Sequence, residues 1–262
     1  MHWKTLFSVC ALGFSLLPSP PAWAASNSGP GVALTATGSV ASAYLFRGLR
    51  RNGASLQPGL EAEAGPLTVG AWGSLPFHHK VRGSADPEID LYGSYAFTMA
   101  PAATIVPGFT TYWYPETETN GRAHRATFEP NLACNYTHAS GVRLTPKVYY
   151  DTVLRGPTYE LSAAYAYPVG GWGTELDFTG TVGTYRWTDY ASPAASGLKA
   201  WGDYWLLGVG APFQFAPHQK ITLNFTYTEG RRAFTKRGSF PRSPNALAAG
   251  RGVVTLTYGV TF

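Results

Sequence analysis

The final segment, VVTLTYGVTF, alternates without a break. Val254, Leu256, Tyr258, Val260 and Phe262 fall on one side, and Val253, Thr255, Thr257, Gly259 and Thr261 on the other. A period of two is that of a β-strand, whose successive side chains point to opposite faces. The segment ITLNFTYT repeats it, with Ile221, Leu223, Phe225 and Tyr227 against Thr222, Asn224, Thr226 and Thr228. A strand of a soluble sandwich alternates in the same way. Composition separates the two, because charged residues make up only 13% of the chain and aromatics 15%, a balance foreign to ordinary soluble domains. After the N-terminal segment no apolar run reaches the roughly 18 residues of a membrane helix. A chain that crosses a bilayer on such strands must close them into a barrel, because an open edge leaves backbone groups without partners in lipid. The expected fold is therefore all-β, a closed antiparallel transmembrane β-barrel. A last strand ending on Phe262 also resembles the sorting signal of bacterial outer-membrane barrels.

Carried backwards, the alternation gives about twelve strands, within a bracket of ten to fourteen. They lie near 32–48, 54–64, 66–76, 86–98, 102–114, 123–138, 141–152, 157–168, 172–187, 201–214, 217–230 and 249–262. The connections AGP, MAP, HASG, PVGG and FAP are short, whereas those between them are mostly longer and polar, such as PETETNGR and TDYASPAASGLK. Outer-membrane barrels show this asymmetry, with tight periplasmic turns and longer outer loops. Aromatics gather at both strand ends, where amphipathic rings favour the headgroup level. Tyr112, Trp113, Tyr114, Trp187, Trp201 and Trp205 form the outer belt. Tyr95, Phe97, Tyr136, Tyr165, Tyr167, Phe213, Phe215 and Phe262 form the inner one. Pro58, Pro107, Pro130, Pro146 and Pro212 fall inside strands, where each loses a ladder hydrogen bond, so bulges or shortened strands are expected there.

The first 24 residues read as a secretory signal peptide: Lys4 in the basic region, an apolar core from about Leu6 to Leu17, and Ala22-Trp23-Ala24 before the cleavage point. The barrel domain then covers 25–262, with Cys134 as its single cysteine and no intrachain disulfide to form.

Little in the sequence points to chemistry. His138 and Ser140 have the spacing of a base beside a nucleophile, yet they fall in a short turn. The next carboxylate, Asp151, is roughly 35 Å up the following strand. A hairpin turn is the expectation, and the protein is expected not to be an enzyme. His78 and His79 lie in an outer loop with no further ligands in metal spacing, and no phosphate loop is present, so no cofactor or metal is expected.

The charges are distributed by side. Glu61, Glu63, Glu88, Asp90, Glu129, Asp151, Glu160, Glu175 and Asp177 share the inward parity, with Arg47, Arg143 and Lys147 as the main inward bases. Carboxylates on that face require water or partners. Such a wall either lines a water path or plugs the barrel with ion pairs, and twelve strands stand between filled and open barrels. Outer loops carry the bases, among them Arg50, Arg51, Lys80, Arg82 and the set Arg231, Arg232, Lys236, Arg237 and Arg242. Guanidinium groups grip phosphate bidentately, so this set is expected to contact lipopolysaccharide rather than nucleic acid.

The stretch SAYLFRGLRRNGASLQPGLEAEAGPLTVGAWGS, followed by EIDLYGSYAF and GFTTYWYP, resembles the TorF family of proteobacterial porins. The matching segments are Tyr44 to Gly48, Gly70 to Ser74 and Glu88 to Tyr92; Ala43 stands where the family commonly has Asn or Asp. The resemblance implies an outer-membrane barrel with a pore and no known catalytic residues. The functional expectation is a passive channel for small polar solutes with outer-membrane lipids around it. The alternatives are a structural or adhesive barrel with a plugged lumen, and an outer-membrane lipid hydrolase. If a path is open, the inward carboxylates should make it mildly cation-selective, unless the loop from Gly230 to Asn245 folds inward and reverses the sign. The sequence carries nothing that sets an oligomeric state.

Overall fold

The computed structural model describes residues 31–77, 87–116, 125–171, 173–188, 199–231 and 250–262. The proposed signal peptide lies outside them. The strands are β1 (Ala33–Ala41), β2 (Tyr44–Phe46), β3 (Leu49–Asn52), β4 (Ser55–Ala64), β5 (Leu67–Pro76), β6 (Glu88–Tyr95), β7 (Phe97–Ala100) and β8 (Ala103–Trp113). They continue with β9 (Ala126–Thr137), β10 (Arg143–Asp151), β11 (Gly156–Val169), β12 (Thr174–Thr188), β13 (Lys199–Ala216), β14 (Gln219–Arg231) and β15 (Gly250–Thr261). Sequential strands pair antiparallel, β1 pairs with both β4 and β15, and β6 pairs with β8 to close the circuit. Because β6 and β7 lie end to end against β8, the wall is a closed barrel of 12 strands.

The barrel is inside out relative to a soluble protein. Leu223 and Phe225 are 53% and 50% exposed, while Thr222 and Asn224, which alternate with them, are 0% and 6%. The same holds at Leu91 against buried Glu88, Asp90 and Tyr92, and at Val254 and Leu256 against buried Val253 and Thr257. An apolar band faces outward and a polar wall faces in, as a lipid solvent demands. The eight aromatics assigned to the inner belt are all exposed on the outer surface. In the outer belt Trp113 and Trp201 are exposed, but Tyr112 is buried and points inward, which removes it from the belt.

Of the two outcomes expected at the prolines, interrupted or shortened pairing is what occurs at Pro58, Pro146 and Pro107, without a bulge. In an antiparallel ladder a residue's N–H and C=O face the same neighbour, so a proline weakens one side only. Pro58 pairs with Gly38 of β1, while its place in the β4–β5 ladder is skipped and the register resumes unchanged at Gly59↔Trp72. Pro146 keeps its partner Leu161 in β11, and the β9–β10 ladder passes over it from Leu144↔Tyr136 to Lys147↔Ala133. Thr145 Oγ1 donates to Asn135 Oδ1 at 2.9 Å inside that gap. Pro107 leaves the β8–β9 ladder whole and interrupts the other side between Ser94↔Gly108 and Phe97↔Ile105, which is why β6 and β7 are two strands.

The short turns join β4 to β5, β7 to β8, β9 to β10, β11 to β12 and β13 to β14, at one end of the barrel. In the β9–β10 turn, Gly141 takes φ 87, where a side chain would be strained, and its N–H donates to the His138 carbonyl at 2.9 Å.

One element departs from the alternation. The first strand was expected to run to residue 48 but ends at Ala41, where Ser42 N–H donates to the Val254 carbonyl and Ser42 Oγ accepts from Val254 N–H. The chain then leaves the wall at the outer end. β2 and β3 pair only with each other, through Tyr44↔Asn52, Leu45↔Arg50 and Phe46↔Leu49. Arg47 and Gly48 make the tight turn, at φ 49 and φ 75, as a two-residue hairpin of the right twist requires.

Candidate functional site

The hairpin folds into the barrel. Tyr44, Leu45, Arg47, Leu49 and Asn52 are all buried, although they belong to an outer connection. At its base, Tyr44 packs against Trp72 of β5 with ring centroids 5.3 Å apart and donates from its hydroxyl to Glu88 Oε1 at 3.1 Å. Asn52 Nδ2 donates to Ser74 Oγ at 3.0 Å. Midway, Phe46 meets Tyr112 of β8 at 5.8 Å. At the tip, a Cβ on Gly48 would lie 2.6 Å from Gly230 Cα and 2.7 Å from Tyr204 Cβ. Starting beside β1, the hairpin therefore reaches β13 and β14, and only glycine fits where it touches them.

Arg47 anchors the tip. Its Nη1 donates to Glu129 Oε1 at 2.7 Å and its Nη2 to Glu129 Oε2 at 2.9 Å, a bidentate pair with both side chains almost completely buried. Its Nε lies 3.9 Å from Glu160 Oε1. The guanidinium sits 4.4 Å from the Tyr149 ring centre and 4.7 Å from that of Phe46. Tyr112 donates to Glu129 Oε2 at 2.8 Å, and the hydroxyls of Tyr149 and Tyr204 donate to the two oxygens of Glu160. The left-handed backbone at Arg47 costs a non-glycine residue roughly 1–2 kcal/mol, which the fork–fork pair offsets. Glu129 is the fourth residue of β9 and Glu160 the fifth of β11, both counted from the outer end, so the network spans the outer half of the lumen.

The tyrosines lie flat because glycine faces them. Gly70↔Tyr92, Gly183↔Tyr204 and Tyr185↔Gly202 are direct cross-strand pairs, and a Cβ on any of these glycines would press into the partner ring closer than 3.0 Å. Each ring thus occupies the space its neighbour lacks, and the phenol of Tyr204 reaches along the wall to Glu160. Tyr92 reaches Glu61 Oε2 at 3.0 Å in this way.

The remaining sequence candidates fall as follows. Glu88 and Asp90 are buried side by side beneath the base of the hairpin, and neither carboxylate oxygen of Asp90 has a hydrogen-bond partner among the described residues. Glu61 and Glu63 on β4, and Glu175 and Asp177 on β12, stand on the inner face toward the short-turn end; Lys220 and Arg143 are the cations whose field reaches Asp177. Lys147 is buried with its ammonium 4.7 Å from the Tyr149 ring centre. Asp151 ends β10, and its carboxylate turns to the loop that follows. It accepts from Val153 N–H at 2.8 Å, Leu154 N–H at 2.7 Å and Thr127 Oγ1 at 2.8 Å, and so caps the turn after β10. Arg51, counted with the outer-loop bases, donates to the Tyr114 hydroxyl at 3.3 Å within the hairpin's surroundings. Arg231 ends β14, while Arg232, Lys236, Arg237 and Arg242, like His78 and His79, lie outside the described residues. The loop expected to compete for the lumen lies mostly outside them too; it is the first outer loop that folds in. His138 Nδ1 and Ser140 Oγ are 2.9 Å apart in an exposed turn, where Ser140 N–H also donates to the same ring nitrogen.

A closed antiparallel barrel of 12 strands, apolar without and polar within, is a transmembrane barrel of the bacterial outer-membrane class, here with its first outer loop folded inward. The chain belongs to the Gcw_chp family, described as bacterial protein of unknown function, whose model matches residues 24–239. Among solved structures it is similar to the KdgM porin in complex with disordered oligogalacturonate, with 8% identity over 88% of this chain and 98% of that one and a TM-score of 0.51. The NanC porin gives 12% identity, 87% and 98% coverage and a TM-score of 0.48. An outer-membrane channel from Pseudomonas putida F1 gives 11%, 88% and 94%, and 0.43. At such identity the likeness to the KdgM porin is one of fold. No curated protein sequence matches the chain.

Proposed function

We propose that the protein is a porin-like passive channel for small polar solutes. The observation that carries this reading is the inner wall below the hairpin. Glu61, Glu63, Asn131, Glu175, Asp177 and Lys220 face the inside of the barrel and remain partly exposed there. They come from β4, β9, β12 and β14, so they are spread round the circumference. Charged and polar groups turned to the inside of a membrane barrel yet still open to solvent need water beside them, and a water-filled lumen supplies it. A barrel serving only as a scaffold has no need of such a wall. The resemblance to TorF-family porins supports the same reading. So does the KdgM porin, a barrel of like fold solved with oligogalacturonate, although the acid-rich wall here suits neutral and cationic solutes better than polyanions. The reading is of a passive protein, with the His138–Ser140 pair as a turn. Its basic outer loops, Arg231, Arg232, Lys236, Arg237 and Arg242 among them, would meet lipopolysaccharide phosphates.

The Arg47 network favours a second reading, a plugged barrel with a structural or adhesive role, because the hairpin crosses the outer half of the lumen from Trp72 to Tyr204 and is pinned there to Glu129. Liposome swelling separates the two. Vesicles carrying the refolded protein should swell in small sugars and amino acids and respond less as solute size grows. Vesicles that stay impermeable to all of them would support the plug and overturn the channel.

A further inference from the structure

The carboxylates that hold Arg47 at the tip of the hairpin belong to the wall strands β9 and β11. Glu129 offers both carboxylate oxygens to Arg47, Glu160 stands behind the Nε, and the ring of Tyr149 lies under the guanidinium plane. The hydroxyls of Tyr112, Tyr149 and Tyr204 are directed at the carboxylates and fix their orientation. Lys147 stands opposite Glu160 with its ammonium over the Tyr149 ring, so once Arg47 leaves the cage holds two carboxylates against one ammonium and still takes a cation. A bidentate carboxylate with an aromatic face is the arrangement that binds a free guanidinium group. Arg47 fills it from a short tethered hairpin, at high effective concentration, on a strained backbone.

We infer that the Glu129–Glu160–Tyr149 cage is a recognition site for small solutes carrying a guanidinium group, and that Arg47 is its built-in competitor. A solute that replaces Arg47 in the cage frees the hairpin from the wall and clears the outer half of the lumen. Solute and hairpin tip exclude one another, so the population of the cleared state rises with solute concentration in proportion to the solute's affinity for the cage. The inference rests on the channel reading and adds to it a solute class and the residues that choose it.

The test is planar-bilayer recording of the full-length protein as wild type, Arg47→Ala, Arg47→Lys and Arg47→Ala with Glu129→Gln. Folding of each variant is checked by its heat-modifiable gel mobility. Arg47→Ala should conduct several-fold more than wild type in sodium chloride, and Arg47→Lys, which keeps a cation on the hairpin, should restore the low level. Millimolar guanidinium chloride or argininamide should block the Arg47→Ala current, and removing Glu129 should weaken that block on the order of tenfold. Conductance with equal block in both Ala-containing variants, or with none in either, would overturn the inference and leave the channel standing. Silence from every folded variant would overturn the channel reading itself.

Discussion

A methyl group at Gly183 would press into the ring of Tyr204, and one at Gly202 into that of Tyr185. Both rings are buried against the inner wall, and the Tyr204 hydroxyl orients Glu160 behind Arg47. Gly183→Ala should therefore cost about 1–3 kcal/mol, the usual penalty of overpacking a closed site, measured by urea unfolding in lipid vesicles. Gly180→Ala is the control, because its Cβ would stand 3.5 Å from Leu207 Cδ2, an ordinary contact, and should be nearly silent. Equal losses at both sites would mean that the backbone at glycine, not the ring above it, sets the cost. These pairings were not legible in the sequence. Gly183 and Tyr204 stand in different strands and become opposite one another only once the β12–β13 register is known. The carboxylates, by contrast, were legible one by one through parity, but parity names a face and not a partner, so the capping role of Asp151 was hidden.

The hairpin carries the next scale of consequence. Breaking a buried pair by removing one partner costs about 3–5 kcal/mol, since the other charge is left uncompensated. Glu129→Gln should thus loosen the tip of the hairpin, and trypsin added to intact cells should cut after Arg50 or Arg51, with mass spectrometry reading the fragment. The wild-type hairpin should resist at those bonds, and a variant equally resistant would show that the hairpin is held elsewhere. Strand positions came within a few residues of the alternation because lipid outside and water inside impose a strict period of two. The hairpin was missed for the same reason: Tyr44, Leu45, Phe46 and Arg47 extend the alternation of β1 smoothly, and what separates them from the wall is a tertiary fact, the cage at Glu129 and Glu160. The one local sign is the Arg47-Gly48 step, read as strand although both residues take positive φ. The prolines left bulging and shortening both open, because a strand has two ladders and the sequence does not say which one a proline faces; shortening is what the β6–β7 break shows.

For the whole molecule, the phase of short turns and long loops fixes which end meets the cell exterior. Cysteines at Thr119 and Ser239 should label from outside intact cells with an impermeant thiol reagent, whereas one at Gly170, in the turn after β11, should not. Gly53, on an outer connection by sequence, is buried in the base of the hairpin and should stay dark. Labelling confined to Gly170→Cys would invert the barrel. The charge ledger then sets selectivity. Arg47 and Lys147 stand against Glu129 and Glu160, Glu88 and Asp90 are buried beneath the hairpin, and Asp151 is spent on its turn, so the acids left to the inner wall are chiefly Glu61, Glu63, Glu175 and Asp177, with Lys220 and Arg143 near the last. Fixed charges act over a Debye length of about 8 Å at physiological salt, comparable to the radius of a narrow barrel. Replacing Glu175 and Asp177 by their amides should move the reversal potential toward anions. The most direct test is a single recording: wild-type protein in a planar bilayer under a potassium chloride gradient. Discrete current steps with a reversal potential on the cation side are the expected result. A bilayer that remains silent with folded protein in it, or steps that reverse on the anion side, would contradict a water-filled, acid-lined channel.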